Sequence, residues 1–406
     1  MAAESAQQGS PRGRAGGSPR ARRRICVVTG GRADYGLLRE LLRCLRSTDG
    51  VTLQLIATGM HLSPEFGATV RAIEEDRFAL DRRIEMLLSS DSDVGAAKSL
   101  GLGVLGFADA LGELRPDVLV VLGDRFEMLA AAQVAMLLRI PIAHIHGGEA
   151  THGVIDDAIR HAITKMAHLH FTANEVYRRR VVQLGERPDR VYTVGAPGLD
   201  TIRALELLSR ERLEEEIGLR LEHPTLLVTY HPVTLERESP EPAVTRLLAA
   251  LDAFPQATVV MTMPNCDTAG RAIARCLQAY AEARPERVRV HASLGALRYL
   301  SAIRHADVVV GNSSSGIIEA PFLGTPTVDV GTRQQGRVAA DSVVHAADAE
   351  EAIVAAIQQA LTPEFSALAR RCPSLYGDGT ASARIARILC EADLDGILLK
   401  GFFDLA

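Results

Sequence analysis

The sequence predicts an α/β protein of two doubly wound domains with parallel sheets, and three observations carry that prediction. Short apolar, β-rich runs alternate with helical stretches from Ile25 onward. The alternation pauses once, in a charged helix over 209–217, and then begins again. At 406 residues the chain is also longer than one hydrophobic core ordinarily serves.

The first series of strands is read at 25–29, 51–56, 118–122, 142–145, 169–171 and 191–194, and the second at 226–230, 258–261, 288–290, 308–310 and 327–330. Runs such as 118–122 and 308–310 are continuously apolar, the pattern of strands covered by helices on both faces. Two Rossmann-like domains with a central cleft follow, expected over 25–200 and 201–381, with the boundary falling in 197–222. A last helix, about 382–392, opens a C-terminal segment over 382–406. Residues 1–24 carry six arginines against the single acid Glu4, with Gly, Ser, Pro and Ala between them, and are expected to form a disordered basic tail.

Apolar residues make up 47% of the chain and charged ones 23%, the balance of an ordinary soluble globular protein. A net charge of −5 argues against general nucleic-acid or membrane binding, which leaves small molecules as partners. Cys26, Cys44, Cys266, Cys276, Cys372 and Cys390 are scattered without metal-ligand spacing, as befits reduced thiols in a cytoplasmic protein. No apolar run of membrane-span length and no apolar signal core is expected.

Open α/β sheets bind ligands where strands end, so the strand exits carry the chemistry. Gly311-Asn312-Ser313-Ser314-Ser315-Gly316 joins an apolar strand to a helix through small residues whose backbone N–H groups suit a phosphate; taken by itself it would be read as a capped loop, and the other motifs turn the reading to phosphate. Gly30-Gly31-Arg32-Ala33-Asp34 offers a second such turn with a cation. Gly123-Asp124-Arg125-Phe126-Glu127 sets an acid and a base behind a buried strand, either for use or as a structural pair. His144-Ile145-His146-Gly147-Gly148-Glu149 gathers two imidazoles and a carboxylate at a bend, and strand alternation would put both imidazoles on one side. General acid–base work suits this group better than a metal, since no second ligand set of recognisable spacing accompanies it. The helix that follows carries Asp156 and Asp157 in its first turn, with Asp156–Arg160 and Asp157–His161 as i,i+4 pairs. In the second half His231 leaves one strand and Asn265 the next, Glu319 lies behind the serine turn, and Arg333 and Arg337 follow a further strand. A carboxylate suits ribose hydroxyls and two arginines suit phosphate, so this half is read as nucleotide-binding.

In this order, Arg32-Ala33-Asp34-Tyr35, Gly123-Asp124-Arg125-Phe126, Ile155-Asp156-Asp157 with Arg160-His161, and Gly311-Asn312-Ser313-Ser314 resemble the UDP-N-acetylglucosamine 2-epimerase family over about 25–390, and its hydrolysing branch most. The resemblance implies a glycosyltransferase-B-like fold, a nucleotide held by the C-terminal domain and a sugar lying against the N-terminal one. It implies loss of the C2 proton with anti expulsion of UDP to give a 2-acetamidoglucal, then addition of water, with no cofactor and no metal. By matching position Asp124 and Asp156 correspond to proton-transfer carboxylates and His231 to an imidazole near the leaving diphosphate, with Glu149 and His146 completing the catalytic set. Arg32, Asn265, Ser313, Ser314, Glu319 and Arg333 correspond to nucleotide contacts; Asp34, Arg125, Arg160, His161 and Arg337 complete the expected substrate-binding residues. The family further implies a homodimer or tetramer.

One position departs from the family pattern: His146 stands where many members carry glutamate, which changes either the proton inventory or the sugar. A non-hydrolysing epimerase, a glycosyltransferase on the same fold and a binding protein without turnover are the competing readings.

Overall fold

The computed structural model describes residues 22–67, 69–90, 92–151, 154–233, 240–264 and 270–405. The first unit contains strands β1 (Arg23–Thr29), β2 (Val51–Thr58), β3 (Arg82–Ile84), β4 (Val118–Leu122), β5 (Ile142–Ile145), β6 (Leu169–Thr172) and β7 (Val191–Thr193). Between and after them run α1 (Arg32–Ser47), α2 (Val70–Glu75), α3 (Asp93–Leu114), α4 (Phe126–Leu137), α5 (Ile155–Met166), α6 (Glu175–Gln183) and α7 (Pro197–Ala204). The seven strands form one parallel sheet in the order β3-β2-β1-β4-β5-β6-β7.

The second unit opens with α8 (Arg210–Ile217) and contains β8 (Thr225–Thr229), β9 (Thr258–Thr262), β10 (Val288–His291), β11 (Val308–Gly311), β12 (Thr327–Val330) and β13 (Val343–Ala346). Its other helices are α9 (Glu241–Asp252), α10 (Gly270–Glu282), α11 (Gly295–His305), α12 (Ser315–Leu323), α13 (Glu350–Ala360) and α14 (Pro363–Arg371), followed by α15 (Ala381–Glu391). The six strands are again all parallel, in the order β10-β9-β8-β11-β12-β13.

Both sheets reverse their winding once, between β1 and β4 in the first and between β8 and β11 in the second. A crevice opens at such a switch point, because the two adjoining loops turn to opposite faces of the sheet. The topology therefore brings Gly30–Asp34 beside Asp124, and His231 beside Asn312. Register does the rest: Gly311 pairs with Thr229, which puts the serine turn level with the exit of β8.

Strands that are apolar on both faces are buried on both. Val27, Val120 and Ile145 pack one way against Leu38, Leu41 and Leu42 of α1, while Cys26, Leu119 and Val121 pack the other way against Phe107 and Ala131. A further cluster joins Tyr177 and Leu199 of the first unit to Leu300, Ile317 and Ile318 of the second.

Three features differ from the expectation, and a fourth, the packing of α15, lay outside it. β3 and β13 are edge strands; β3 is three residues long and two of them are arginines, a composition that guards an edge and hides a strand from a hydrophobic scan. Arg23 and Arg24 belong to β1 rather than to the tail, Arg23 Nη1 donating to the Leu389 carbonyl at 2.6 Å and the Arg24 backbone N–H to Asp117 at 2.7 Å. α15 crosses back onto the first unit, where Ile385, Ala386 and Leu389 join the α1 core. Its start is fixed by Asp200, whose carboxylate accepts the N–H groups of Ala381, at 3.0 Å, and Ser382. Finally, α3 is 22 residues long with a mean hydropathy of 1.3, enough by length and composition to cross a bilayer. It is the connection between β3 and β4 of one sheet, and one face of it, with Phe107 and Leu111, covers that sheet.

Candidate active site

At the first switch point Asp34 is buried, and its Oδ2 accepts the Gly30 N–H at 3.2 Å. Burial, with Glu127 and Asp124 adding to it against the opposing pull of Arg125, raises its carboxyl to about 7. Glu127 in the first turn of α4 is fully enclosed; Arg125 Nε approaches its Oε2 at 3.4 Å, and its Oε1 has no hydrogen-bond partner. Asp124 is half-buried and paired with Arg160 Nη2, and although burial opposes it, that guanidinium together with Arg337 holds the carboxyl below its usual range.

β5 ends at Ile145, and His146 turns away from it in the left-handed region with φ 67°. The two imidazoles consequently do not share a strand face, as alternation had implied. His144 faces inward with its ring nitrogens on Thr164 Oγ1 at 3.1 Å and the Gly123 carbonyl at 2.8 Å, and burial drops its pKa to about 3. His146 Nδ1 lies 2.6 Å from Glu149 Oε1. A non-glycine residue held at positive φ is strained, and such strain gathers at functional sites.

Glu149 has a second partner from the other unit. Arg337 Nη1 lies 2.7 Å from its Oε2, and against the effect of burial Arg337 and then His146 pull the carboxyl down to about 2. An ionised Glu149 takes the Nδ1–H of His146. Thr151 Oγ1 receives both Arg160 Nη2, at 2.9 Å, and Arg337 Nη2, at 3.3 Å. Arg160 also donates to the Glu149 carbonyl at 3.0 Å and to Asp157 at 2.9 Å. Asp124, Arg160, Thr151, Arg337, Glu149 and His146 thus form one connected network. Asp157 also meets His161 Nε2 at 3.5 Å, as its spacing implied, and Asp156 is half-buried beside it in the first turn of α5. Burial lowers the His161 pKa.

On the facing side, Asn312 is completely buried and grips His231 at both backbone groups: His231 N–H donates to Oδ1 at 2.7 Å and Asn312 Nδ2 to the His231 carbonyl at 2.8 Å. The Asn312 carbonyl accepts Arg333 Nη1 at 3.1 Å and Gln334 Nε2 at 2.8 Å. Ser314 is the N-cap position of α12 and uses no side-chain cap, while Ser313 Oγ sits 3.2 Å from Ser315 Oγ. The opening N–H groups of α12 are taken up within the turn: Ser315 N–H donates to Ser313 Oγ at 3.4 Å, Gly316 N–H to the Ser313 carbonyl at 3.1 Å and Ile317 N–H to the Ser314 carbonyl at 3.0 Å. Glu319 lies one turn into α12 with its Oε2 enclosed and without a hydrogen-bond partner, and burial raises its pKa. Beside this face, Tyr230, Val233, Gly331, Gln334 and Arg337 line a cavity of about 490 Å³. Arg32 reaches over from the first unit to Ser293 Oγ at 2.8 Å.

The structure gathers the expected residues into two facing groups, with three qualifications. Asn265 lies outside the described residues. Arg160 and Arg337, expected on the substrate, have both terminal nitrogens on protein acceptors. His161 hangs from Asp157 at the rim of the network rather than within it. Sequence reading missed Glu127, Asn312, Gln334 and Thr151 as members of the site. Asn312 carried a signal: among the small residues of a phosphate-type turn it has the one amide side chain, able to donate and accept at once.

Two parallel-sheet domains with a serine turn at a strand exit on one side and a network of carboxylates, arginines and an imidazole on the other suit a protein of nucleotide-sugar chemistry. The sequence profile of the UDP-N-acetylglucosamine 2-epimerase family matches residues 43–390. The chain is 38% identical over 386 residues to the GDP/UDP-N,N'-diacetylbacillosamine 2-epimerase (hydrolyzing) of Campylobacter jejuni, covering 95% of this chain and 100% of that one. It is 37% identical over 379 residues to the UDP-N,N'-diacetylbacillosamine 2-epimerase (hydrolyzing) of Legionella pneumophila, covering 93% and 98%. The crystal structure of UDP-GlcNAc 2-epimerase from Neisseria meningitidis, bound to UDP-GlcNAc, superposes with a TM-score of 0.79 at 18% identity over 91% of this chain and all of that one, which establishes the fold. The chain belongs to the UDP-N-acetylglucosamine 2-epimerase family, in its hydrolysing branch.

Proposed function

We propose that the substrate is UDP carrying a 2,4-diacetamido-6-deoxy sugar, and that the chain releases UDP and the free manno-configured sugar. The single observation that supports a departure from plain UDP-GlcNAc is the His146–Glu149 dyad, with an imidazole standing where the family resemblance leads one to expect a glutamate. The names of the two bacterial relatives agree with it.

Removing the C2 proton while the C1–O bond breaks leaves a C1=C2 double bond, and the electron pair departs with UDP. Anti geometry needs a base on one side of the sugar and donors for the diphosphate on the other. Asp124, Asp156 and His146 belong to the first unit, and Ser313, Ser314, Arg333 and His231 to the second, an opposition suited to that demand. In the second step the hydroxyl of water joins C1 and a proton returns to C2 on the opposite face, so two acid–base groups are required. Asp124, paired with Arg160, and His146, paired with Glu149, are the two assigned to these roles. Closure of the cleft brings both halves to the sugar and controls when water enters.

The enzyme is read as a cytoplasmic homo-oligomer that binds neither nucleic acid nor membrane. Cys26, Cys44, Cys276, Cys372 and Cys390 are all free thiols, in keeping with that compartment. The outward face of α3 suits a second copy. Val94, Leu102 and Leu105 are exposed on it, and Lys98 and Asp109 are exposed at equal distances from the midpoint of Leu102 and Leu105. Across a two-fold axis at that midpoint, antiparallel helices would set Lys98 against Asp109 of the partner subunit.

Proton and phosphorus NMR in heavy water decides the reaction, with UDP-GlcNAc, UDP-N,N'-diacetylbacillosamine and GDP-GlcNAc in separate tubes. Free UDP and a C2-deuterated manno sugar from the diacetamido donor is the expected result. Turnover of UDP-GlcNAc alone would overturn the substrate reading. Intact nucleotide sugar with deuterium at C2 would make the enzyme non-hydrolysing.

A further inference from the structure

Arg337 was expected on phosphate, yet its surroundings point elsewhere. Its side chain is only 9% exposed; Nη1 is on Glu149 and Nη2 on Thr151, both in the first unit. Its main chain is fixed as firmly as its head. Val338 N–H donates to Tyr177 Oη at 3.0 Å, Tyr376 Oη donates to the Val338 carbonyl at 2.9 Å, and the two phenol oxygens are 2.7 Å apart. These three bonds close a ring around the peptide next to Arg337, and Tyr177 comes from α6 of the first unit. Arg337 Nε is enclosed without a hydrogen-bond partner, so it is the two terminal nitrogens that the first unit holds, and losing them would leave a buried carboxylate beside His146 without its cation.

We propose that Arg337 is a positioning residue for the sugar-side chemistry: carried on the nucleotide-binding unit, it crosses the cleft to hold Glu149, and Glu149 in turn fixes the orientation and tautomer of His146. The proposal rests on His146 being an acid–base group of the reaction. Its logic is that of a base oriented by a hydrogen-bonded carboxylate, with the orienting carboxylate itself held by a cation from the opposite domain. The dyad is then complete only while the two units are together.

The test uses the full chain with Arg337→Gln, Arg337→Lys and Tyr376→Phe, reading three quantities: kcat on the turned-over nucleotide sugar, UDP affinity by calorimetry, and the His146 tautomer by long-range ¹H–¹⁵N NMR. Arg337→Gln is expected to lower kcat about 100-fold, leave UDP affinity within about threefold, and turn the single Nδ1–H tautomer into a mixture. Arg337→Lys should recover part of both losses. Tyr376→Phe, which keeps the guanidinium and loosens its peptide, should lower kcat by a smaller factor in the same direction. A fall of tenfold or more in UDP affinity with kcat retained would make Arg337 a phosphate ligand, and an unchanged tautomer with unchanged kcat would make it merely structural; either overturns the proposal. If Arg337→Gln loses its cooperative melt, the other two variants decide. If the wild type turns over no donor, the functional reading fails by itself, while UDP affinity and the tautomer still decide the role of Arg337.

Discussion

Arg337 Nη1 lies 2.7 Å from Glu149 Oε2, and the two residues follow strands of different sheets, β12 and β5. Glu149 is 188 residues away in sequence, so no local pattern could have paired them. Three charged or titratable side chains are enclosed together here, and each needs the others: the guanidinium balances the carboxylate, and the carboxylate takes the imidazole N–H. The interface between the domains is thus held partly by the groups that would act on the sugar.

Asp124→Asn should abolish most turnover while sparing the nucleotide, because an amide can still accept from Arg160 but cannot take a proton. We expect kcat to fall about 1,000-fold with UDP affinity within about threefold. Weakened UDP binding at a normal maximal rate would contradict a chemical role for Asp124.

Arg333 stands at the Asn312 carbonyl beside the serine turn. Its replacement by alanine should raise the UDP dissociation constant by roughly 10- to 100-fold, the loss of a charge-assisted hydrogen bond. Calorimetry that finds unchanged affinity would remove Arg333 from the phosphate site.

Asp34 makes stability depend on pH. Its folded carboxyl titrates at about 7, well above an unfolded aspartate, so the protonated form favours folding and that contribution fades as pH rises toward 7. Asp34→Asn has no such charge to bury. The melting temperature of the variant relative to wild type should therefore be several degrees more favourable at pH 8 than at pH 5, equivalent to roughly 2 kcal/mol. A constant difference across that range would refute the shift.

Gly311 has φ 136°, and a Cβ there would lie 2.0 Å from the Thr229 carbonyl oxygen, a backbone atom that cannot yield. Gly311→Ala should cost about 3 kcal/mol or more in chemical denaturation and spoil the serine turn. Gly50, at φ 79° with open space around its Cβ, provides the contrast: alanine there should cost only about 1 kcal/mol. Equal losses at the two sites would mean that the close approach to Thr229 is not what requires glycine.

Lys98→Asp alone and Asp109→Lys alone should each weaken self-association in sedimentation equilibrium, since each sets like charges face to face across the proposed two-fold axis. The double exchange should restore it. A monomeric wild type, or a dimer indifferent to all three changes, would discard the α3 interface.

The two-domain division and the strands other than β3 and β13 were legible because buried parallel strands are β-rich runs, and their exits carry short polar motifs. The phosphate turn and the Gly123-Asp124-Arg125 corner were read from such exits. What escaped depends on distance or on conformation. Nothing local reveals that Arg160 is spent on Asp124, or that Asn312 clasps the backbone of His231. His146 was assigned a strand face because alternation assumes the strand continues, whereas β5 stops one residue earlier and the chain turns at positive φ. Spacing along the helix likewise gave no sign that Arg160, fully buried, pairs with Asp157 and Asp124.

The return of α15 to the first unit has a bearing on how the protein is made. Leu38, Leu41 and Leu42 near the beginning of the chain are covered by Ile385 and Leu389 near its end, and the Asp200 carboxylate waits for Ala381 and Ser382. During synthesis the N-terminal sheet emerges first, yet its α1 face stays open until the whole second domain and the last helix have left the ribosome. The nascent first domain must therefore keep an unsealed apolar surface out of trouble while the second folds, and a premature stop anywhere before residue 381 would damage the half of the molecule that had already been translated.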